Sequence, residues 1–162
     1  MYHRYKDGIT PFAIIFMQAI NRPPGNEYLR DVASFRAVCG NAFLPNVLLV
    51  ATFETSPRRR EEEEDRMLYQ LRTDPRLWQP LIDHGAKQAK FDIRDPSSAE
   101  RLLDNLPRKA PARPLHIQLE MEKEGNFKKT LARWIVVRGK HNWLCRFLYV
   151  LSARHCVCGG DN

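Results

Sequence analysis

The sequence predicts an α/β fold, and three observations lead to this prediction. Residues 46–53 form a short apolar run rich in branched side chains, which is typical of a strand buried on both faces. Residues 13–20 form a second continuous apolar run of the same kind. Segments with helix start and stop signals alternate with these runs, as they do around a parallel sheet. Because open α/β sheets bind ligands beyond the carboxyl ends of their strands, we look for a site just after residues 46–53.

The first predicted helix lies between these two strands. The turn sequence Asn-Arg-Pro-Pro-Gly at residues 21–25 ends the first strand. Asn26 can cap a helix that extends to about Cys39, and Gly40 follows at a position that commonly ends helices. After the second strand, Ser56 can cap another helix.

The elements after this helix are predicted less uniformly. Residues 87–93 form a weaker third strand, and the capping-box sequence Ser-Ser-Ala-Glu at residues 97–100 begins a short helix. Residues 107–114 contain three prolines and are interpreted as a linker. Residues 115–125 fit either a strand, by the alternation of their apolar residues, or a helix, by their helix-forming composition.

A run of charges at residues 58–65 has three arginines followed by five acidic residues. At a spacing of four residues the arginines face the glutamates, and acidic residues in early turns suit the helix dipole. We interpret this run as a solvated helix surface rather than as a binding patch.

The positive charge is concentrated at one end of the chain. Of the formal net charge of +7, residues 126–162 contribute +6, with seven basic residues and one acidic residue. Residues 1–125 hold 19 basic and 18 acidic residues. A basic tail is compatible with nucleic acid or an anionic membrane, but the nearly neutral body argues against such binding as the main role.

Cysteine use and hydropathy indicate a cytoplasmic protein. Four cysteines at irregular spacing give no disulfide framework, so a reducing compartment is the better expectation. Residues 1–10 are charged and lack the apolar region of a signal peptide. No apolar run approaches the roughly 20 residues that a membrane-spanning helix requires.

The order of these elements and several local motifs resemble a known family. The motifs are Asp7-Gly8-Ile9 with Ile14-Ile15-Phe16, the segment Phe-Arg-Ala-Val-Cys-Gly at residues 35–40, Asn46 to Thr52, Leu-Trp-Gln-Pro-Leu-Ile-Asp-His-Gly at residues 77–85, Ala89-Lys90-Phe91-Asp92, and Ile117-Gln118-Leu119-Glu120 with Glu124-Gly125. In this order they resemble the septin-like and immune-associated P-loop GTPase domains that are numerous in basidiomycete fungi. The resemblance covers roughly residues 7–130 and only the second half of such a domain.

The resemblance implies a fold, a division of the chain and a ligand class. The fold would be an incomplete three-layer α/β/α, P-loop NTPase-like, with about three parallel strands retained. Residues 1–130 would form a partial G-domain-like unit, and residues 131–162 would be a divergent basic tail. GTP and Mg²⁺ are implied by the resemblance only, and no cofactor is expected for this chain.

The sequence lacks the motifs that bind the triphosphate in this family. It contains neither the P-loop G-x-x-x-x-G-K-[ST] nor the D-x-P-G motif, and its only Gly-Lys pair, Gly139-Lys140, is followed by His141. In the guanine-reading loop, Thr52 matches the second threonine of the family motif. Thr55 stands where the family has an aspartate, and a neutral hydroxyl cannot make the paired, charge-assisted contact of a carboxylate. Thr52 and Thr55 are therefore degenerate guanine-reading positions or, on the simpler interpretation, polar residues at a strand end.

The basic tail gives two further hypotheses. Residues 134–137, Trp-Ile-Val-Val, could occupy the sheet edge that a missing P-loop strand would leave open, and residues 142–153 could form an amphipathic basic helix. The simpler alternative is a truncated or misjoined coding sequence whose tail does not pack well. Zinc binding by the tail is not expected, because its histidines and cysteines lack the usual ligand spacing: His141, Cys145, His155, Cys156 and Cys158.

Two functions remain in competition at this point, and no residue is assigned a catalytic or metal-binding role. The first is a truncated, degenerate GTPase-like domain in which GTP binding and hydrolysis are weak or lost. The second is a non-catalytic module that pairs with a full-length relative or another protein through the open edge of an incomplete sheet. A nucleic-acid or membrane role for the basic tail is a third, less favoured hypothesis.

Overall fold

The computed structural model describes residues 10–20, 23–53, 61–107, 111–133 and 148–152. We number the elements in chain order: β1 (Pro11–Ala19), α1 (Asn26–Cys39), β2 (Val47–Phe53), α2 (Glu61–Thr73), α3 (Gln79–Asp83), β3 (Lys87–Asp92), α4 (Pro96–Asp104), α5 (His116–Glu124) and β4 (Leu148–Ser152). Short 3₁₀ segments at Asn41–Asn46 and Phe127–Lys129 precede β2 and follow α5. The prediction of an α/β fold is confirmed.

Four strands form one sheet in the order β3-β2-β1-β4. The first three strands are parallel, with Ile14 opposite Val47 and Leu48 opposite Lys87. β4 runs antiparallel to β1. The prediction of about three parallel strands is therefore confirmed, whereas the antiparallel fourth strand was not foreseen.

Helices cover both faces of the sheet, because alternate residues of β1 and β2 point to opposite sides. On one face Ile14, Phe16 and Leu49 join a large cluster with α1, α2, α3 and the start of α5. On the other face Ile15 and Val50 pack with a smaller cluster that contains Leu102 and Leu106 from α4 and its C-terminal end. Right-handed crossovers between sequential parallel strands place α1 and the α2–α3 pair on the same face, as observed. The architecture is thus three-layered.

The C-terminal end of α1 lies against the start of α5. Gly40 follows the helix with φ +69°, a backbone conformation that favours glycine. A Cβ atom at this position would lie 2.6 Å from the Cβ of His116. Gly40 therefore ends α1 as predicted and also permits α5 to approach it.

Asn46 connects three parts of the chain at the beginning of β2. Its side chain is fully buried, and its amide nitrogen donates to the carbonyl of Phe12 at 2.7 Å and to that of Pro111 at 3.1 Å. The asparagine thereby holds the segment before α5 against the start of β1 and the start of β2.

The tail differs from its prediction. The expected helix over residues 142–153 is wrong, because Leu148–Ser152 is the strand β4. β4 pairs with Pro11–Phe16 along one edge of β1. Residues 134–137, which were predicted for that edge, lie outside the described residues. The domain boundary at residue 130 stays a prediction, and β4, within the predicted tail, belongs to the same sheet as β1.

Candidate functional site

The predicted site lies at the carboxyl edge of the three parallel strands. There Thr52 stands in register between Ala19 of β1 and Phe91 of β3. The carbonyl of Thr52 accepts a hydrogen bond of 3.0 Å from the amide of Ile20. Thr52 is thus at the end of the central strand, where the sequence placed it, and Thr55 lies outside the described residues.

Thr52 is half-buried and neutral. It follows Leu48 and Val50 at alternate positions, so it faces the side of the sheet that α4 covers. Phe53 points to the other side and packs against the cluster under α1 and α2. The hydroxyl of Thr52 can donate or accept one neutral hydrogen bond here, but it cannot supply a carboxylate.

Glu64 is an acidic residue at this edge, and the prediction that it is exposed to solvent is wrong. The interpretation of residues 58–65 as a solvated surface holds for the exposed Glu62, Glu63 and Asp65, whereas Glu64 is only 8% exposed. It lies one turn before the half-buried Met67 and Leu68 and two turns before the buried Leu71. The helical spacing of these residues could have shown that Glu64 lies on the core-facing stripe of α2.

The structure does not bring Thr52 and Glu64 together into one binding surface. Glu64 belongs to α2, whose apolar residues pack on the α1 side of the sheet. Thr52 faces the α4 side. Thr52 and Glu64 therefore lie on opposite faces of the sheet. They cannot together accept hydrogen bonds from the same edge of a bound ligand.

A network of hydrogen bonds joins β3 to α4 at the same edge. Asp95 is the N-cap of α4, and its carboxylate accepts from the amide of Ser97 at 3.0 Å and from the guanidinium of Arg101 at 2.6 Å. The hydrogen bond from Arg101, together with those from Ser97, holds the pKa of Asp95 below its usual value. The capping-box sequence predicts the cap two residues later, at Ser97, and that prediction is wrong.

Ser98 completes this network from inside α4. It is 2% exposed, and its hydroxyl accepts a hydrogen bond of 2.9 Å from the amide of Asp92. The hydrogen bonds of Asp95, Ser97 and Ser98 described here thus serve to end β3 and to begin α4. Their arrangement is accounted for by secondary-structure termination.

The direction of β4 determines what this strand can present at the carboxyl edge. Leu148 pairs with Phe16, near the carboxyl end of β1, and Ser152 pairs with Pro11 at the opposite end. The chain therefore leaves β4 at the amino edge of the parallel strands. A loop that follows β4 begins on the side of the sheet away from Thr52.

The described part of the chain presents neither a reactive thiol nor a cluster of metal ligands. Cys39 is 1% exposed, and burial raises the pKa of its thiol, which keeps it neutral and poorly nucleophilic. No group of three His, Cys, Asp or Glu side chains suited to a metal ion occurs among the residues that the structure describes. The tail histidines and cysteines considered above for zinc lie outside those residues.

A cleft of about 200 Å³ lies away from the predicted site. Its lining comes from the second half of α1, including Arg36, and from the segment between α2 and α3, including Pro75 and Arg76. α1 and α2 both run from the carboxyl edge of the sheet back toward the amino ends of the strands. The cleft is therefore on the side of the molecule opposite Thr52, and none of the predicted site residues lines it.

No helix in the described ranges combines the length and the apolar character that crossing a membrane requires. Comparisons of the chain with protein-family models, with curated protein sequences and with solved structures gave no match.

Proposed function

We propose that this chain is a degenerate GTPase-like domain that does not hydrolyse GTP. The proposal starts from the motif resemblance over residues 7–130 and is supported by the three-layer arrangement. Three parallel strands follow one another in spatial order, with α1, α2 and α3 on one face and α4 on the other. This is the arrangement expected if the second half of such a domain keeps its fold.

The observation that carries the proposal is the antiparallel pairing of β4 with β1. The resemblance places a P-loop strand beside β1, and its loop must reach the carboxyl edge to hold phosphates near Thr52. β4 occupies that position over Pro11–Phe16 but ends beside Pro11, at the amino edge. A loop after β4 therefore starts at the wrong end of the sheet to hold the phosphates of a nucleotide bound at Thr52.

The guanine side of the site is also weakened. Thr52 supplies a neutral hydroxyl. At the position where the family motif has an aspartate, this chain has Thr55. Comparable paired contacts to a base contribute about 1–3 kcal/mol each. Glu64 does not replace that carboxylate, because α2 packs on the opposite face of the sheet from Thr52.

The test compares guanosine with GTP, because the proposal assigns no binding energy to the phosphates. Isothermal titration with and without Mg²⁺ should give either equal weak binding of the two ligands or no binding of either. Incubation with labelled GTP should release phosphate no faster than buffer does. Tighter, Mg²⁺-dependent binding of GTP, by about tenfold or more, or hydrolysis above buffer, would contradict the proposal.

A matched pair of variants locates any weak guanosine binding. Thr52→Val removes the hydroxyl at the carboxyl edge with little change in volume, and we expect it to weaken such binding. Thr73→Val makes the same change at the exposed end of α2 and should leave binding unchanged. If guanosine binds and both variants behave alike, the binding lies elsewhere on the molecule.

The second candidate is a non-catalytic protein-interaction module. The observation that favours it is the composition of the terminal strand β4, Leu-Tyr-Val-Leu-Ser, which contains neither a charged residue nor a proline. Strands of this kind at the end of a sheet readily pair with another chain. The partner of such a module is a full-length relative or another protein.

A further inference from the structure

We propose that the cleft between α1 and the segment linking α2 to α3 binds a small organic monocarboxylate with a compact apolar body. This inference goes beyond both candidate functions, and it does not depend on nucleotide binding. The volume of the cleft is about 200 Å³. For comparison, an apolar cavity of about 150 Å³ is large enough to bind benzene. The cleft therefore matches a ligand whose body is one ring or a branched group of similar size.

The lining of the cleft is apolar apart from two arginines. All of the lining residues belong to the described ranges: Val32, Ala33, Arg36, Pro75, Arg76, Leu77, Pro80 and Leu81. The apolar side chains can pack against the body of a ligand, and the few charged groups of such a site fix its orientation. Because both charged groups of this lining are cations, the polar group that complements them is an anion.

Arg36 offers the donor geometry that suits a carboxylate. It is an exposed residue in the second half of α1, and its Nε donates to the side-chain oxygen of Asn41 at 3.3 Å. This bond uses Nε, and the terminal Nη1 and Nη2 groups form a second pair of donors. A carboxylate can accept two parallel hydrogen bonds from such a pair. Arg36 is therefore the residue that we assign to the carboxylate of the ligand.

Arg76 contributes less charge to the cleft than Arg36, because a carboxylate already pairs with it. Its Nε and Nη2 donate to the two carboxylate oxygens of Asp74 at 3.1 and 2.8 Å. These hydrogen bonds from Arg76 lower the pKa of Asp74, so its carboxylate is ionised at neutral pH. Asp74 then offsets the charge of Arg76 and opposes a second negative charge on a ligand. This balance favours a monocarboxylate over a phosphate dianion.

The experiment titrates the full chain with phenylacetate, phenylacetamide and acetate, and follows amide chemical shifts by nuclear magnetic resonance. Phenylacetamide lacks the charge, and acetate lacks the ring. We expect phenylacetate to shift the amides of Ala33, Arg36 and Leu77 and to bind about fivefold more tightly than either control, or better. The proposal is overturned if phenylacetate does not bind, if it binds no better than a control, or if the shifts lie outside the lining.

Two matched pairs of variants test the cleft itself. Arg36→Gln should weaken phenylacetate binding about fivefold or more, whereas Arg30→Gln, at an exposed position of α1 outside the lining, should leave it unchanged. Ala33→Leu should abolish binding by filling the cleft, whereas Ala99→Leu on the exposed side of α4 should not. Circular dichroism confirms that each variant is folded. Equal behaviour within either pair would overturn the proposal.

A second copy of this chain is the competing occupant, and a dilution series without ligand tests for it. Shifts of the lining amides that depend on protein concentration, and that phenylacetate fails to reverse, would assign the cleft to a second copy and overturn the proposal. A negative phenylacetate result leaves the prediction for GTP unaffected, because Thr52 does not line the cleft. The failure of one proposal is therefore distinguishable from the failure of the other.

Discussion

The two edges of the sheet end in different ways. At β3, the outward amide of Asp92 bonds to Ser98, two exposed lysines lie along the strand, and α4 begins immediately beyond it. β4, the last strand of the sheet among the described residues, consists of five uncharged residues and runs against the direction of its neighbour. The first edge has features by which proteins prevent pairing with other chains, and the five residues of β4 contain neither a charge nor a proline that would do the same. This difference separates the closed side of the domain from the side that we propose for interaction.

Both edges depend on the central strand, and the largest expected effect is there. Leu49 is fully buried in the cluster under α1, so Leu49→Ala should lower the free energy of unfolding by about 2–5 kcal/mol. Urea unfolding followed by circular dichroism measures this change. Leu103→Ala on the exposed side of α4 is the control, because Leu103 is 46% exposed. Equal losses in the two variants would show that the core is not where the structure places it.

The protected edge is tested by Ser98→Ala. This change removes the acceptor of the Asp92 amide in a buried position, which should cost about 1–3 kcal/mol of stability. Hydrogen exchange should also become faster at Asp92. Ser97→Ala is the neighbouring control, since Ser97 is exposed. Unchanged exchange at Asp92 in Ser98→Ala would mean that Ser98 does not protect the edge.

The local sequence signals predicted the first part of the fold well. The central strand was placed at residues 46–53 and is found at Val47–Phe53, and α1 ends at Gly40 as expected. These elements are specified by continuous apolar runs and by turn residues that act over a few positions. The first two parallel strands are both continuous apolar runs, so their alternation with helices could also be predicted from the sequence.

The remaining errors come from contacts between distant residues. The spacing of apolar residues near Leu148 and Leu151 fitted a helix, but pairing with β1 makes this segment a strand. Strand formation depends on such neighbours more than on intrinsic preference. Glu64 was assigned to solvent by the charge of its neighbours, although its helical spacing from Leu71 places it on the buried stripe. The N-cap of α4 is Asp95 and not the predicted Ser97, because the amide of Ser97 and the guanidinium of Arg101 both donate hydrogen bonds to the carboxylate of Asp95.

The lysines of β3 give a prediction in which association changes more than stability. Lys87→Val combined with Lys90→Val removes the charges from this edge, and we expect concentration-dependent light scattering to increase. Stability should change little, by about 0.5 kcal/mol or less, because the ion pair of Lys90 with Asp65 is exposed. Lys123→Val combined with Lys128→Val controls for the loss of two exposed lysines elsewhere. If both double variants scatter equally, the position of the lysines does not matter.

The smallest effect concerns Asp95 and pH. Because Arg101 and Ser97 lower its pKa in the folded state, Asp95 stabilises the fold at pH values above its ordinary pKa of about 3.9. That contribution is lost as the pH falls through the lowered pKa. Asp95→Asn keeps a good N-cap residue but removes the charge. The stability difference between wild type and variant should therefore narrow on acidification from neutral pH, and a constant difference would argue against the ion pair.

The account depends most on the direction of β4, and backbone nuclear Overhauser effects measure this directly. We predict cross-strand contacts that join Ile14 to Val150 and Phe16 to Leu148, as in the antiparallel register. Contacts that instead join Leu148 to Pro11 and Ser152 to Phe16 would make the strand parallel. Contacts of residues 134–137 with β1 in place of β4 would also contradict the account. In the parallel case a loop after the strand could reach the carboxyl edge, and the argument against phosphate binding beside Thr52 would fail.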